Sequence, residues 1–165
     1  MDDNYIYFEL KNRKLKMNKE DSENIWVWKE HKKRKSYWYK LKLIETINGR
    51  YRISINDKYL QHHRVVYFAH NQNWDIFHEP RKNLIDHIDR NPKNNHINNL
   101  RVGTDSLNQQ NKKYVKGYSW KKKDKRFQAS ICIDGKGIHL GSYKKEEDAR
   151  TAYLEAKKIY HKWNI

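Results

Sequence analysis

The apolar residues of this chain come in short runs, each closed by a turn signal or a cluster of charge. This patterning limits the fold most. It admits short strands and brief helices around a thin, divided core, and no stretch approaches the roughly 18 apolar residues of a membrane helix. Hydrophobic residues make up 36% of the chain and charged residues 34%, so aliphatic side chains alone supply little core. Six Trp and twelve Tyr compensate, because each aromatic ring buries a large area.

Residues 1–35 read as a basic N-terminal segment of unknown role. They hold a polar stretch from Lys11 to Lys19, a short apolar run at 23–28 and the charge cluster KEHKKRK at 29–35. From Ser36 the texture changes. SYWYKLKLIE at 36–45 predicts a strand, Asn48-Gly49 a tight turn, RYRISI at 50–55 a second strand and Asn56-Asp57 another turn. Val65, Val66 and Ala69 lie at helical spacing in a short helix over 62–72, and Pro80 closes a loop. LIDHID at 84–89 is strand-like, NPKNNHINN is a loop of turn formers, and LRV at 100–102 can pair back as a strand. Gly103-Thr104 ends that strand, and Thr104 or Asp105 caps a helix to about Lys113.

The rest reads as a separate module. Strands at 117–120, 126–133 and 136–143 are joined by tight turns, Asp134-Gly135 among them. Phe127, Ala129, Ile131 and Ile133 share one face, and Gln128, Ser130 and Cys132 the other. A helix from about Lys145 to His161 covers the apolar face with Ala149, Ala152, Tyr153, Ala156 and Ile159. Its acidic first turn and basic last turn suit the helix dipole. The expected fold class is therefore α+β.

Net charge is +16, from 36 Lys and Arg against 20 Asp and Glu, spread along the whole chain. Solubility needs only about 2 to 8 net charges on a small domain, so this excess points to a polyanion, and nucleic acid fits it best. No basic amphipathic stripe with an apolar anchor supports a membrane partner. The single Cys132 excludes an intramolecular disulfide and a cysteine-rich zinc site. MDDNYIYFEL lacks the start of a signal peptide, so the expectation is a soluble, intracellular, DNA-associated protein, with no protein partner implied and a monomeric state.

The segment from 84 to 111 has the residue types that phosphodiester hydrolysis requires. A neutral histidine can deprotonate water near pH 7, and one divalent metal on hard oxygen ligands can stabilise the phosphate and the leaving oxygen. Asp86-His87, Asn99-Leu100-Arg101, Val102-Gly103-Thr104 and Asn108 follow in order, with Asn99 and Asn108 at offsets of 13 and 22 from Asp86. In these positions the segment resembles the HNH homing endonucleases found in phages, the ββα-metal nucleases. His63-Arg64, with the apolar run after it, resembles the helix such enzymes carry upstream. The resemblance covers about residues 50–112 and makes 36–113 an HNH nuclease domain.

It implies that Asp86 and the side-chain oxygen of Asn108 bind one Mg²⁺ or Mn²⁺, that His87 is the general base, and that Asn99 holds the His87 ring in orientation and tautomer. Arg64 and Arg101 follow as phosphate contacts. Asn108 in place of the third histidine favours a hard, oxygen-bound metal over zinc. His96 lies too close to His87 to be the helix ligand and reads as a loop residue. His31, His62, His70, His78 and His161 read as surface or packing residues. One difficulty is that neighbours on a regular strand face opposite sides, yet Asp86 and His87 must serve one phosphate.

Residues 114–161 resemble the AP2/ERF DNA-binding domain, which makes 114–165 a second, DNA-binding domain. The matching segments are Gly117-Tyr118, Phe127-Gln128-Ala129-Ser130-Ile131, His139-Leu140-Gly141-Ser142-Tyr143, and Glu146-Glu147-Asp148-Ala149-Arg150 leading to Ala152-Tyr153. The resemblance implies that the polar sheet face meets the DNA major groove, with Lys116, Ser119, Lys121, Gln128, Ser130, Cys132 and His139 on it. Gln128 can read adenine, while Lys121, Lys122, Lys123, Lys125 and Arg126 hold phosphates. Ser119, Cys132 and His139 stand where that family usually has arginine, arginine and tryptophan, so its target sequence does not transfer. The leading expectation is a metal-dependent endonuclease acting on double-stranded DNA. The alternative is a non-cleaving DNA-binding or regulatory protein with an inactive HNH unit, and RNA binding ranks below both.

Overall fold

Residues 1–35, left without elements by the sequence reading, carry three strands. In the computed structural model, which describes residues 2–77, 83–112 and 114–161, these are β1 (Tyr5–Leu10), β2 (Arg13–Asn18) and β3 (Ile25–Lys29). With β4 (Tyr37–Lys40) they form an antiparallel sheet in the order β1-β2-β3-β4. Phe8, Leu10, Leu15, Met17, Ile25 and Val27 alternate onto its buried face. The β1–β2 turn places Lys11 and Asn12 at φ 51° and 57°, the left-handed pair a tight hairpin requires.

The expected strand at 36–45 is two strands. β4 pairs with β3, and β5 (Ile44–Glu45) pairs with β6 (Tyr51–Ile55), which pairs with β7 (Lys58–Gln61). Leu41 and Leu43 pack against the core between them, so the apolar alternation runs on while the hydrogen-bonded partner changes. The turns at Asn48-Gly49 and Asn56-Asp57 form as expected, with positive φ at Gly49, Asn56 and Asp57.

Helix α1 (His62–His70) packs Val65, Val66 and Ala69 into the same core, and Phe68 meets Phe8 edge-on at 6.1 Å. β8 (Leu84–His87) pairs with β9 (Leu100–Gly103), and a 3-10 turn at Ile97–Asn99 leads into β9. Gly103 is the last residue of that strand rather than its breaker. His78 and the loop expected at Pro80 lie outside the described residues, as does Lys113.

The chain divides into two compact units, Met1–Val102 and Gly103–Ile165. The second begins with α2 (Asp105–Gln110), whose first turn is capped by the Thr104 hydroxyl accepting from Leu107 N. It continues with β10 (Tyr118–Lys121), β11 (Arg126–Ile133) and β12 (Lys136–Tyr143) in one antiparallel sheet, then α3 (Glu146–Tyr160). Ala129, Ile131, Ala149, Tyr153 and Ala156 are buried between sheet and helix. Ile159, expected in the helix's apolar stripe, is exposed, because the buried line runs through 149, 153 and 156 and leaves 159 at its margin. The class is thus mixed α+β, small antiparallel sheets and helices with no barrel among the described residues. No helix among them is long and apolar enough to cross a membrane.

Candidate active site

β8 carries Ile85, Asp86 and His87 as three consecutive buried residues, so both faces of this short strand are covered. The strand ends at His87, whose carbonyl accepts from Arg90 N, and Arg90 itself sits at φ 64°. Asp86 and His87 make their contacts on different elements, as alternation along the strand requires. Asp86 meets the neighbouring strand. Its Oδ2 accepts from Arg101 Nε at 3.1 Å and Nη2 at 3.0 Å. His87 meets the loop and α1: its Nε2 lies 2.8 Å from Asn95 Oδ1, and its ring stands edge-on to His63 at 5.1 Å.

Behind Asn95 the contacts continue inward. Asn95 Nδ2 is 3.0 Å from His62 Nδ1, and His62 Nε2 is 2.8 Å from Ser22 O in the β2–β3 turn. His62 is fully buried, and Asn95 and His87 are buried beside it. Burial lowers the pKa of His87 from its ordinary value, against the Asn95 bond, which raises it, and with the nearby Arg50 charge, which lowers it further. His62 is pushed down to about 4 and His63 to about 2, in both cases chiefly by burial. Burial favours the neutral form of all three rings. A neutral, desolvated imidazole next to a carboxylate is chemically suited to take a proton.

Asn99, expected to hold the His87 ring, does its observed work on the loop. Its Oδ1 accepts from Asp89 N at 2.9 Å, and its Nδ2 donates to Asp89 Oδ1 at 2.9 Å and Asn94 O at 2.7 Å. Those bonds span the turn that presents Asn95, and Asn95 is the residue observed at Nε2 of the ring. His96, read as a loop residue, caps the 3-10 turn by accepting from Asn98 N.

Arg64 and Arg101, expected on phosphate, are engaged within their own unit. Arg64 donates to Asn83 O and Ile76 O and stacks over Trp74 at 4.7 Å, so it ties α1 to those three residues. Arg101 is the partner of Asp86. Asn108 lies half-buried on α2 in the second unit, where its N–H bonds Thr104 O at 2.9 Å. Among the described residues no cluster of three His, Cys, Asp or Glu side chains could hold a metal; the expected ligands, one carboxylate and one amide oxygen, are a set of another kind.

In the second unit the outer sheet face forms as the alternation requires. Ser119 pairs with Gln128 and Gln128 with Ser142, Lys121 pairs with Arg126, and Ser130 with His139. Lys116, Ser119, Lys121, Lys122, Arg126, Ser130, Cys132 and His139 are exposed, and Gln128 is half-buried. A bulge between Ala129 and Ser130 shifts the register there, which alters the twist of the face at its middle.

Asn95 and Ser22 were given no role from the sequence, and His62 read as a surface or packing residue. Asn95 is one of five asparagines in a nine-residue loop, and His62 opens a helix whose apolar spacing makes it look like packing. The hydrogen bonds that run from Ser22 O through His62 and Asn95 to His87 identify them. No protein-family model matches the chain, and searches of curated proteins and of solved structures returned no match.

Proposed function

We propose that this protein is a metal-dependent DNA endonuclease, with an HNH-type ββα-metal unit that cuts and an AP2-like sheet that holds the duplex. The observation that carries the reading is the burial of Asp86 and His87 side by side at the end of β8, each with a polar partner. Burying a carboxylate and an imidazole in so small a core costs free energy unless they are paired, and it serves no packing need that apolar residues would not meet better. The basic outer face of the second sheet and the +16 net charge support DNA as the partner.

In this reading His87 takes the proton of the attacking water, and burial keeps it neutral to do so. Asp86 and Asn108 offer hard oxygen donors, which fit Mg²⁺ or Mn²⁺. When bound, the metal supplies charge stabilisation to the phosphate and the leaving oxygen. Arg101 fixes the Asp86 carboxylate across the hairpin. Lys121, Lys122 and Arg126 hold phosphates without specifying sequence.

The Asp86–Arg101 ion pair favours one second reading, a DNA-binding protein that does not cleave, since a guanidinium occupies an oxygen that a metal would need. Supercoiled plasmid incubated with the protein, with Mg²⁺, with Mn²⁺ and with chelator, separates the two. Metal-dependent nicking or linearisation supports the nuclease. Retardation of the plasmid without cleavage in either metal supports the binder and overturns the nuclease.

A further inference from the structure

We infer that His62 and Asn95 are positioning residues that decide which nitrogen of His87 is basic, acting through a hydrogen-bond chain that starts at the backbone carbonyl of Ser22. The inference rests on the reading of His87 as the base for its meaning, though not for its measurement.

The chain has one member whose polarity is beyond choice. A backbone carbonyl only accepts, so His62 Nε2, 2.8 Å from Ser22 O, carries a proton. His62 is fully buried and neutral, so its Nδ1 has the lone pair and accepts. Asn95 then turns its Nδ2 toward His62 Nδ1, at 3.0 Å, and is left with Oδ1 facing His87. An oxygen at 2.8 Å from His87 Nε2 requires the proton on that nitrogen. The lone pair of the neutral His87 ring is therefore on Nδ1. Each step follows from donor and acceptor inventory, and an amide or ring turned over at any one position would set two donors or two acceptors against each other in a buried place.

The origin of the chain is itself held. Ser22 lies in the β2–β3 turn, where Asn18 Oδ1 accepts from Glu20 N at 2.8 Å and Asp21 N at 3.0 Å, and Asp21 Oδ1 accepts from Glu23 N at 3.0 Å. At the other end, the bonds of Asn99 to Asp89 and Asn94 fix the loop that delivers Asn95. The N-terminal sheet thus supplies the polarity of a ring 65 positions further on, through contacts separated by 40 and 33 residues. The hydrogen bond made by one ring nitrogen is what ordinarily selects a histidine tautomer.

The test is long-range ¹H–¹⁵N correlation of the histidine rings in the full chain at pH 7.5, assigned with His62→Gln and a His87→Gln reference. The wild type is expected to show His87 as one tautomer, protonated on Nε2. Asn95→Asp keeps an acceptor toward Nε2 and should keep that tautomer. His62→Gln can still accept from Asn95 and donate to Ser22, and should keep it too. Asn95→Leu and His62→Leu should lower the Nε2–H to Nδ1–H ratio of His87 about tenfold, the worth of one buried hydrogen bond.

If His62→Leu does not give a dispersed spectrum, the wild type, His62→Gln and Asn95→Asp decide the matter. A wild-type His87 protonated on Nδ1 overturns the inference. So does a folded His62→Leu or Asn95→Leu variant with the tautomer unchanged, or a shift in His62→Gln or Asn95→Asp. None of these readouts needs nuclease activity, so an inactive protein with the expected tautomer would overturn the proposed function and leave the chain of bonds intact.

Discussion

The hairpin β8–β9 and the sheet β10–β12 both present polar side chains for use, in opposite ways. At the hairpin the polar groups are buried and held by side-chain bonds, Asp86 to Arg101, His87 to Asn95 and Asn99 to Asp89. On the sheet they are exposed, and the backbone ladder sets their positions, with Ala129, Ile131 and Tyr153 behind. Buried polar groups act as a unit, because removing one leaves its partner unsatisfied in low dielectric. Exposed groups spaced along a ladder act almost independently. The first arrangement suits making a bond break at one point. The second suits holding a long polymer by many weak contacts.

The largest expected effect tests the first half of this contrast. His87→Ala should reduce cleavage by about 10²- to 10⁴-fold, the usual worth of a general base, and leave DNA affinity nearly unchanged. A variant that cuts at the wild-type rate breaks the assignment. Next comes the scaffold behind the exposed face. Tyr153→Ala should destabilise the second unit by about 3 to 5 kcal/mol, as for other buried aromatics. Gly117→Ala should cost about 2 kcal/mol or more, because its φ is 76° and an added Cβ would lie 1.9 Å from the Tyr153 ring. Denaturant unfolding followed at resolved amide signals of each unit measures both, and the first unit should not respond.

Acid should distinguish the units in the other direction. His62 and His63 titrate in the unfolded chain near 6.5 but are held at about 4 and about 2 when folded. Their folded values are depressed, so the unfolded state binds more protons below pH 6.5. Stability is full above that pH and falls as pH drops, by about 1.4 kcal/mol per histidine per pH unit until each folded value is passed. Between pH 6.5 and 4 the first unit should therefore lose more stability than the second. Equal loss in both units would mean the two rings are more open to water than their burial says.

The smallest effect belongs to the exposed face. Lys121→Ala with Lys122→Ala should weaken duplex binding modestly and lower the slope of log affinity against log salt by about 0.9 for each phosphate contact removed. The two single variants should add. A slope unchanged in the double variant would remove these lysines from the DNA path.

Legibility in the sequence followed the same divide. The second sheet was readable because period-two alternation and Asp134-Gly135 report directly on faces and turns. The first three strands were not, since lysines and large aromatic rings hold their outward positions and one of their turns uses Lys11-Asn12 without glycine. The 36–45 segment misled because periodicity records where side chains point and not which strand supplies the hydrogen bonds. At the site, Asp86 and His87 stood out as a pair. Asn95 did not, because a loop residue's partner is set by tertiary distance, and its partner His62 is 33 positions away.

One side chain on the exposed face has a practical side. Cys132 is the only cysteine in the chain, and it lies exposed on β11 opposite Gly137. A thiol-reactive fluorophore therefore attaches at a single place without any engineered handle, on the surface opposite α3. The rate at which that thiol is alkylated, alone and with added duplex, gives a footprint of the face in one reagent and one residue.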